Sequence, residues 1–288
     1  MQLDGRRQSS NVEDRRGSTV VKAGGLGLGG LLIVGLISLL LGQDPSQVVD
    51  VVNQMGGATS GQMTGDYTPT AEEEELAVFA SRILAGTEDV WTKIFEQNGL
   101  KYIPPKLVLF SGSVQSGCGG ATASTGPFYC SADQCVYLDL SFFTSMKKQI
   151  GADGDFAYAY VIAHEVGHHV QYLLGTLQKA HNQMNRSSKT ESNQISVRLE
   201  LQADFYAGVW ACNDNKMFKS LEYGDVDEGL AVASKIGDDY LEKQAYGYSV
   251  PDSFTHGTSA QRSKWLKLGI STGDPSKGDT FSIAYNQL

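Results

Sequence analysis

The pattern His-Glu-x-x-His at residues 164–168 constrains this chain most, because it lies inside the apolar run of residues 155–174, DFAYAYVIAHEVGHHVQYLL. Residues four apart lie one helical turn above each other, so His164 and His168 would present both imidazoles to one point. Glu165 would reach a water molecule bound at that point. Zinc accepts neutral imidazole and leaves a position open for water in catalytic sites. The pattern therefore predicts a zinc ion on a buried helix.

A catalytic zinc needs a third protein ligand, and the best candidates lie in residues 196–211, SVRLELQADFYAGVWA. Glu200 and Asp204 stand four apart on a helix that otherwise reads as buried, where two acids are costly unless a cation neutralises them. We expect Glu200 to bind the metal and Asp204 to accept the outer N–H of His164. The alternative is a surface stripe in which Arg198 pairs with these acids.

Composition and charge exclude some classes of function. A hydrophobic content of 41% is enough for a packed core. Residues 1–22 carry five basic and three acidic residues, whereas the rest of the chain carries 18 basic and 29 acidic residues. Nucleic-acid binding needs a basic face, so this acidic body predicts no nucleic-acid partner.

Residues 23–42 contain no charged residue and, as a helix, would span the ~30 Å hydrocarbon layer of a membrane. The basic residues before them predict a cytoplasmic tail at 1–22 and a domain on the extracytoplasmic side. We therefore expect a single-pass anchor in the cell membrane, a linker at 43–68 and a folded domain at 69–288. A signal peptide is the alternative, although LLLGQDP lacks the usual cleavage pattern.

The remaining patterns predict an α+β domain that is mainly helical with a small β-sheet. Thr70 and Glu73 form a capping box before a helix to about Leu84, and Thr87 would cap a second helix. Apolar β-branched runs at 106–110 and 134–140 predict strands. Residues 181–193 read as a polar loop, and further helices are expected at about 194–212, 225–244 and 259–269.

The four cysteines are Cys118, Cys130, Cys135 and Cys212. In an oxidising compartment an even number suggests disulfides, and a Cys118–Cys130 bridge would close a glycine-rich loop. A zinc–thiolate site is the alternative, but the spacings do not match paired Cys-x-x-Cys ligands.

The blocks HEVGHH and ELQAD resemble the zinc peptidases whose third ligand is a glutamate, the thermolysin-like group. More closely, PPKLVLFSG, AYVIAHEVGHHVQ, RLELQADFYAGVW and VPDSFTHGTSAQR resemble the bacterial, membrane-anchored "putative neutral zinc metallopeptidase" family. The resemblance implies a zincin-like fold, a zinc ion and peptidase activity, and it names no substrate. Cys135 is unusual for that family, so no pairing is predicted for Cys135 or Cys212.

His256, in a polar loop before a helix that Ser259 would cap, is a candidate donor to the oxyanion of a tetrahedral intermediate. A helix-capping or structural role is the alternative. Glu165 would take a proton from the zinc-bound water and deliver it to the leaving amine. The peptide or protein substrate would extend a sheet edge at residues 134–140.

Three functions remain open on the sequence alone. The first is a membrane-anchored zinc metallopeptidase. The second, from another class, is a catalytically silent zinc-binding scaffold or interaction module of the same fold. A hydrolase of cell-wall peptides would differ from the first only in its substrate. The intact Glu165 favours an enzyme, because a structural zinc site does not need a base.

Overall fold

A helix over Asp155–Leu173 lies at the centre of the fold, because it is apolar on nearly every side. The computed structural model describes residues 1–17, 67–151 and 154–288. The helices in those ranges are α1 (Ala71–Gln97), α2 (Ser141–Ile150), α3 (Asp155–Leu173), α4 (Thr176–Met184), α5 (Lys189–Phe218), α6 (Asp225–Lys235), α7 (Asp238–Tyr246) and α8 (Ser259–Thr272). The strands are β1 (Val12–Asp14), β2 (Lys106–Phe110), β3 (Ser113–Ser116), β4 (Gly119–Thr122), β5 (Phe128–Cys130) and β6 (Cys135–Asp139). The described chain is thus mainly helical α+β with small sheets.

Helix α1 begins where the sequence predicts but continues beyond the predicted end. Thr70 accepts the N–H of Glu73, and the Glu73 carboxylate accepts the N–H of Thr70, which completes the capping box. The predicted break after Leu84 is wrong. The buried hydroxyl of Thr87 donates to the Leu84 carbonyl at 2.7 Å, so this residue is satisfied inside the helix and caps nothing.

Two other predicted boundaries are corrected by the structure. The loop expected at 181–193 is short, since α4 runs to Met184 and α5 begins at Lys189 behind a capping box made by Ser188 and Glu191. The helix expected at 225–244 is two helices, α6 and α7. Between them Gly237 lies against α8, where a Cβ atom would come within 2.2 Å of the Ser259 nitrogen.

The main sheet has the strand order β1-β2-β6-β5. The strands β1, β2 and β6 are parallel, and β5 runs antiparallel to β6. The expectation that residues 134–140 form a sheet edge is wrong, because β6 is paired on both sides. The edge strand on that side is β5, which packs against α3. The strands β3 and β4 form a separate antiparallel hairpin.

Residues 1–17 are part of the same folded body as the rest of the described chain. Strand β1 pairs with β2, and Arg6 binds the buried carboxylate of Asp214 with its Nη2 atom 2.8 Å from Oδ1. Gly86 of α1 leaves room for this ion pair, since a Cβ atom there would lie 2.9 Å from both groups. The chain leaves the described body at Gly17 and returns beside it at Tyr67, because a Cβ atom on Gly17 would lie 2.7 Å from the Tyr67 Cβ.

The predicted single-pass anchor and extracytoplasmic location are corrected by the structure. Within residues 1–17, 67–151 and 154–288, no helix combines the length and apolar character needed to cross a membrane. Residues 1–17, expected in a tail on the opposite side of the membrane, pair with β2 in the folded body. The predicted span at 23–42 and most of the predicted linker at 43–68 lie outside the described residues.

Helices α5 and α8 touch backbone to backbone where two glycines meet. A Cβ atom on Gly208 would lie 2.3 Å from the Leu266 carbonyl oxygen, and one on Gly269 would lie 2.1 Å from the Phe205 carbonyl oxygen. Only glycine permits this approach at either position. The crossing places Arg262, near the start of α8, against the middle of α5.

Candidate metal centre

The three residues predicted to bind zinc lie together on two packed helices. Helix α3 carries His164 and His168, whose ring centroids are 4.8 Å apart, and α5 brings Glu200 opposite them. The Nε2 atom of His164 is 3.1 Å from one Glu200 oxygen, and the Nε2 atom of His168 is 3.4 Å from the other. One ligand atom from each residue lies within 4.8 Å of the others.

The outer nitrogen of each imidazole is held by a hydrogen bond. His164 Nδ1 is 2.8 Å from the Asp204 carboxylate, and His168 Nδ1 is 2.9 Å from the side-chain oxygen of Gln171. Both partners accept, so both Nδ1 atoms carry hydrogen. The Gln171 amide is fixed in this orientation because its nitrogen donates to the Leu199 carbonyl. Each Nε2 lone pair is therefore available to a metal ion.

The charges around these atoms favour a cation. Burial alone would lower the pKa of His164, but the carboxylates of Asp204 and Glu200 raise it to about 10. Burial alone would raise the pKa of Glu200, but His168 and His164 hold it well below its usual range. Two imidazole nitrogens and a carboxylate are a donor set that Zn²⁺ takes in catalytic sites with three protein ligands. The residues present therefore fit the ion that the sequence predicts.

Glu165 lies beside the ligand atoms with one oxygen unbonded. Its side chain is buried, and Oε2 has no hydrogen-bond partner among the described residues. Burial raises the pKa of Glu165, which outweighs the opposite effect of His164 and His168. A buried carboxylate oxygen without a partner is costly, and such groups concentrate at functional sites. Glu165 is positioned to accept a proton inside the cleft.

Asp204 joins the metal centre to a fully buried arginine. Both carboxylate oxygens of Asp204 bind the Arg262 guanidinium, at 2.8 and 2.9 Å, and the Tyr160 hydroxyl donates to Oδ1 at 2.5 Å. Burial would raise the pKa of Asp204, but Arg262 and His164 lower it to about 2. The alternative of an acidic stripe paired with Arg198 is excluded, because Arg198 donates to backbone carbonyls of the C-terminal segment.

His256 lines the same cleft as the predicted ligands and is oriented by Asp238. Its Nδ1 atom is 3.2 Å from the Asp238 carboxylate, whose other oxygen accepts the backbone N–H groups of residues 255, 256 and 257. Burial lowers the pKa of His256, but Asp238 outweighs it and the net shift is upward. The capping alternative is excluded. Thr258, not His256 or Ser259, caps α8 by accepting the Gln261 N–H.

Sequence reasoning missed three residues of this site, namely Tyr160, Asp238 and Arg262. Each comes from a different helix or helix start, and Arg262 is 58 positions from its partner Asp204. Asp238 stands in the stretch ASKIGDDYLEK and Arg262 in TSAQRSKW, and both stretches also contain other charged residues. Nothing in their local pattern indicates which residue each one pairs with.

The cleft beside the ligands has apolar walls. Its apolar lining includes Phe142 and Met146 of α2, Val232 of α6, Ile236 at the end of α6, and Pro127 just before β5. Cleft walls of this kind bind apolar side chains, whereas the few convergent polar groups fix orientation.

A disulfide joins Cys118 to Cys130 and closes the glycine-rich loop that precedes β5. Cys130 lies on β5, so the bridge supports the edge strand nearest the metal centre. Cys135 and Cys212 are free thiols. Burial raises the pKa of Cys135 to about 11, so this thiol stays protonated at neutral pH.

Comparisons with known proteins show the family to which the chain belongs. The chain is 47% identical to the "Uncharacterized protein YpfJ" of Escherichia coli K12 over 294 aligned residues, which cover 98% of this chain and 99% of that protein. It is 43% identical to the "Uncharacterized protein Rv2575" of Mycobacterium tuberculosis over 193 residues, 64% of each chain. No solved structure matches. A family model described as "Putative neutral zinc metallopeptidase" matches residues 1–281, and the chain belongs to that family.

Proposed function

We propose that this protein is a zinc-dependent peptidase that hydrolyses peptide bonds in the cleft between α2, α3 and α6. The observation that carries the proposal is the unbonded carboxylate oxygen of Glu165 beside His164, His168 and Glu200. A structural zinc site is closed by four protein ligands and has no use for a buried base. A zinc ion held by these three ligands would polarise the scissile carbonyl and increase the acidity of a bound water.

Glu165 is the general base of the proposed reaction. Its free Oε2 atom accepts a proton as water attacks the carbonyl carbon, and the same oxygen then delivers the proton to the leaving amine. Burial shifts the pKa of Glu165 upward, toward the working pH, and this is the direction that favours proton transfer in both steps.

His256 is the proposed donor to the oxygen that becomes negative during attack. Asp238 holds its Nδ1 hydrogen, so the Nε2 side of the ring is available to a ligand. The raised pKa of His256 favours the form in which Nε2 also carries hydrogen. A donor positioned before the reaction contributes more than one that must reorganise, and loss of such a donor typically costs about 100- to 1,000-fold in kcat.

The substrate we propose is an extended peptide lying along β5 with an apolar side chain in the cleft. Strand β5 pairs with β6 on one side, and the residue before it, Pro127, lines the cleft. An extended peptide can add its main chain to such an edge, while pockets select alternate side chains. Phe142, Met146 and Ile236 would contact the selected side chain.

The variant Glu165→Gln tests the proposal. It keeps the volume of the side chain and leaves the three ligands in place, so we expect one zinc per chain and no detectable cleavage of an unbiased peptide library. Zinc content is measured by atomic emission on the purified protein. Wild-type turnover by Glu165→Gln would remove this residue from the mechanism.

A catalytically silent zinc-binding protein of the same fold is the competing function. It predicts zinc binding without peptide cleavage in the wild type as well as in Glu165→Gln. The unbonded oxygen of Glu165 counts against it, because a scaffold gains nothing from a buried carboxylate without a partner.

A further inference from the structure

A second cleft lies on the other side of α5, between α4 and the C-terminal segment 275–281. Its volume of about 390 Å³ is within the usual range for small-molecule sites. None of its lining residues takes part in the metal cleft. The residues that line it include Thr176 and Lys179 of α4, Gln202 and Tyr206 of α5, and Ser276 and Asp279 of the C-terminal segment.

The floor of this cleft holds a tyrosine hydroxyl without a protein partner. Tyr206 is 5% exposed, and its ring packs edge-on against Trp91. Within the described ranges its hydroxyl makes no hydrogen bond. It is not sealed in the core either, because Tyr206 lines the cleft. Buried tyrosine hydroxyls normally find a partner, so this one is arranged to meet a group that enters the cleft.

The cleft also carries one charge of each sign. Lys179 of α4 and Asp279 of the C-terminal segment both line it. One Asp279 oxygen accepts the backbone N–H groups of residues 281 and 282. A side-chain hydrogen bond with Ser282 and the nearby Arg198 also stabilise the Asp279 carboxylate, and its pKa is lowered. A ligand with a carboxylate near Lys179 and an ammonium near Asp279 would pair with both charges and would give the Tyr206 hydroxyl a partner. This is the charge pattern of an amino acid or a short peptide in its zwitterionic form.

A chain of side-chain hydrogen bonds links the cleft to a predicted zinc ligand. The Gln202 nitrogen donates to the Gly278 carbonyl at 2.8 Å, and the Gln202 oxygen accepts from Gln171 at 3.1 Å. The Gln171 oxygen in turn holds Nδ1 of His168 at 2.9 Å. A ligand that shifts the segment around Gly278 would therefore change the support of His168.

We propose that this cleft binds a free amino acid or dipeptide as a zwitterion and that binding alters the zinc affinity through Gln202 and Gln171. The existence of the site does not depend on peptidase activity. If the protein is a peptidase, the amino acid or dipeptide bound here would be a product of hydrolysis, and this part of the proposal rests on the proposed function.

The test uses the zinc-loaded full chain carrying Glu165→Gln, so that binding is measured without turnover. The twenty standard amino acids and glycylglycine are the probes, and binding is followed by saturation-transfer NMR. We expect at least one probe to bind, and Tyr206→Phe and Lys179→Gln each to weaken it at least fivefold. N-acetylated and amidated forms of the bound probe should bind at least fivefold more weakly.

The matched control is Tyr102→Phe, which also removes a buried hydroxyl without a partner among the described residues, but away from the cleft. It should leave binding unchanged. Chelator competition with and without the bound probe should show at least a twofold change in zinc affinity, which Gln202→Ala abolishes. The proposal is overturned if no probe binds, if Tyr206→Phe binds as well as Tyr102→Phe, or if zinc affinity does not respond.

Discussion

Asp204 is bonded to three side chains at once, and this explains why a carboxylate lies in the fully buried middle of α5. It fixes the His164 imidazole and neutralises Arg262, while Tyr160 donates to it. The sequence could predict that Glu200 and Asp204 act together, because two acids one turn apart on an apolar helix need a cation. It could not predict Arg262, since a buried arginine has no local signature and its partner comes from another helix.

The two acids of α5 should differ in their effect on zinc binding. Glu200→Ala removes a direct ligand and should abolish tight binding. Asp204→Asn keeps the size of the side chain that holds Nδ1 of His164 but removes its charge, and it should weaken zinc binding by roughly 10- to 100-fold. Zinc affinity is measured by competition with a chelator. The assignment is reversed if Asp204→Asn loses the metal outright while Glu200→Ala retains it.

His169 should make the stability of the protein depend on pH. Its Nε2 atom donates to the Ile103 carbonyl at 2.7 Å, so Nδ1 accepts the Tyr129 hydroxyl when the ring is neutral. Burial lowers the pKa of His169 to about 4. Between about pH 6.5 and pH 4, His169 is therefore protonated in the unfolded state but stays neutral in the folded state. The free energy of unfolding falls by up to ~3 kcal/mol as the pH drops through this range.

The variant His169→Gln isolates this contribution. It lowers stability at neutral pH through lost packing, but its unfolding free energy should fall less steeply between pH 6.5 and 4. Denaturant unfolding at several pH values gives both curves, and the difference in slope should approach one proton, about 1.4 kcal/mol per pH unit. Parallel curves for the two proteins would refute the prediction.

At the scale of helices and strands, the sequence predicts the presence of an element better than the residues at which it ends or the strands with which it pairs. Capping boxes at Thr70 and Ser188 both exist, but the sequence analysis predicts only the first, because residues 181–193 read as a polar loop. The break assigned to Thr87 failed because a buried threonine can donate to its own helix. The edge position assigned to residues 134–140 failed because strand order depends on pairing between distant segments, which periodicity does not record.

Gly167 sets the distance between α3 and α5. A Cβ atom at this position would lie 2.9 Å from the Ala203 carbonyl oxygen, which belongs to backbone and cannot rotate away. Gly167→Ala should therefore separate the histidines from Glu200, lower zinc affinity at least tenfold and cost about 1–3 kcal/mol of stability.

The matched control for this change is Gly120→Ala on β4. A Cβ atom there would meet a single side-chain oxygen at 3.6 Å, so zinc affinity and melting temperature should stay close to wild type. Chelator competition and thermal unfolding of the two variants decide between a specific effect at the helix contact and a general effect of alanine. Equal behaviour of the two variants would contradict the prediction.

At the scale of the whole molecule, the folded domain includes residues that precede the predicted domain of 69–288. Its first strand, β1, lies within residues 1–17 and pairs with β2. The predicted boundary at residue 69 rests on composition, which separates an apolar stretch from a folded body but does not reveal pairing between β1 and β2. The mainly helical class could be predicted from periodicity, and the proximity of His164, His168 and Glu200 from their spacing. The place of residues 1–17 could not, since a three-residue strand has too little pattern to be recognised.

Because Gly17 and Tyr67 are neighbours in space, we expect the two parts of the domain to associate without the covalent link between them. Residues 1–17 then act as a peptide ligand of residues 67–288, held by β1 pairing and by the Arg6–Asp214 ion pair. Separately produced, the two fragments should associate and restore the zinc affinity of the intact chain, whereas residues 67–288 alone should melt at a lower temperature because the edge of β2 is uncovered. A peptide with Arg6→Ala should complement more weakly. If residues 67–288 alone match the intact chain in stability, the N-terminal segment is an appendage rather than part of the fold.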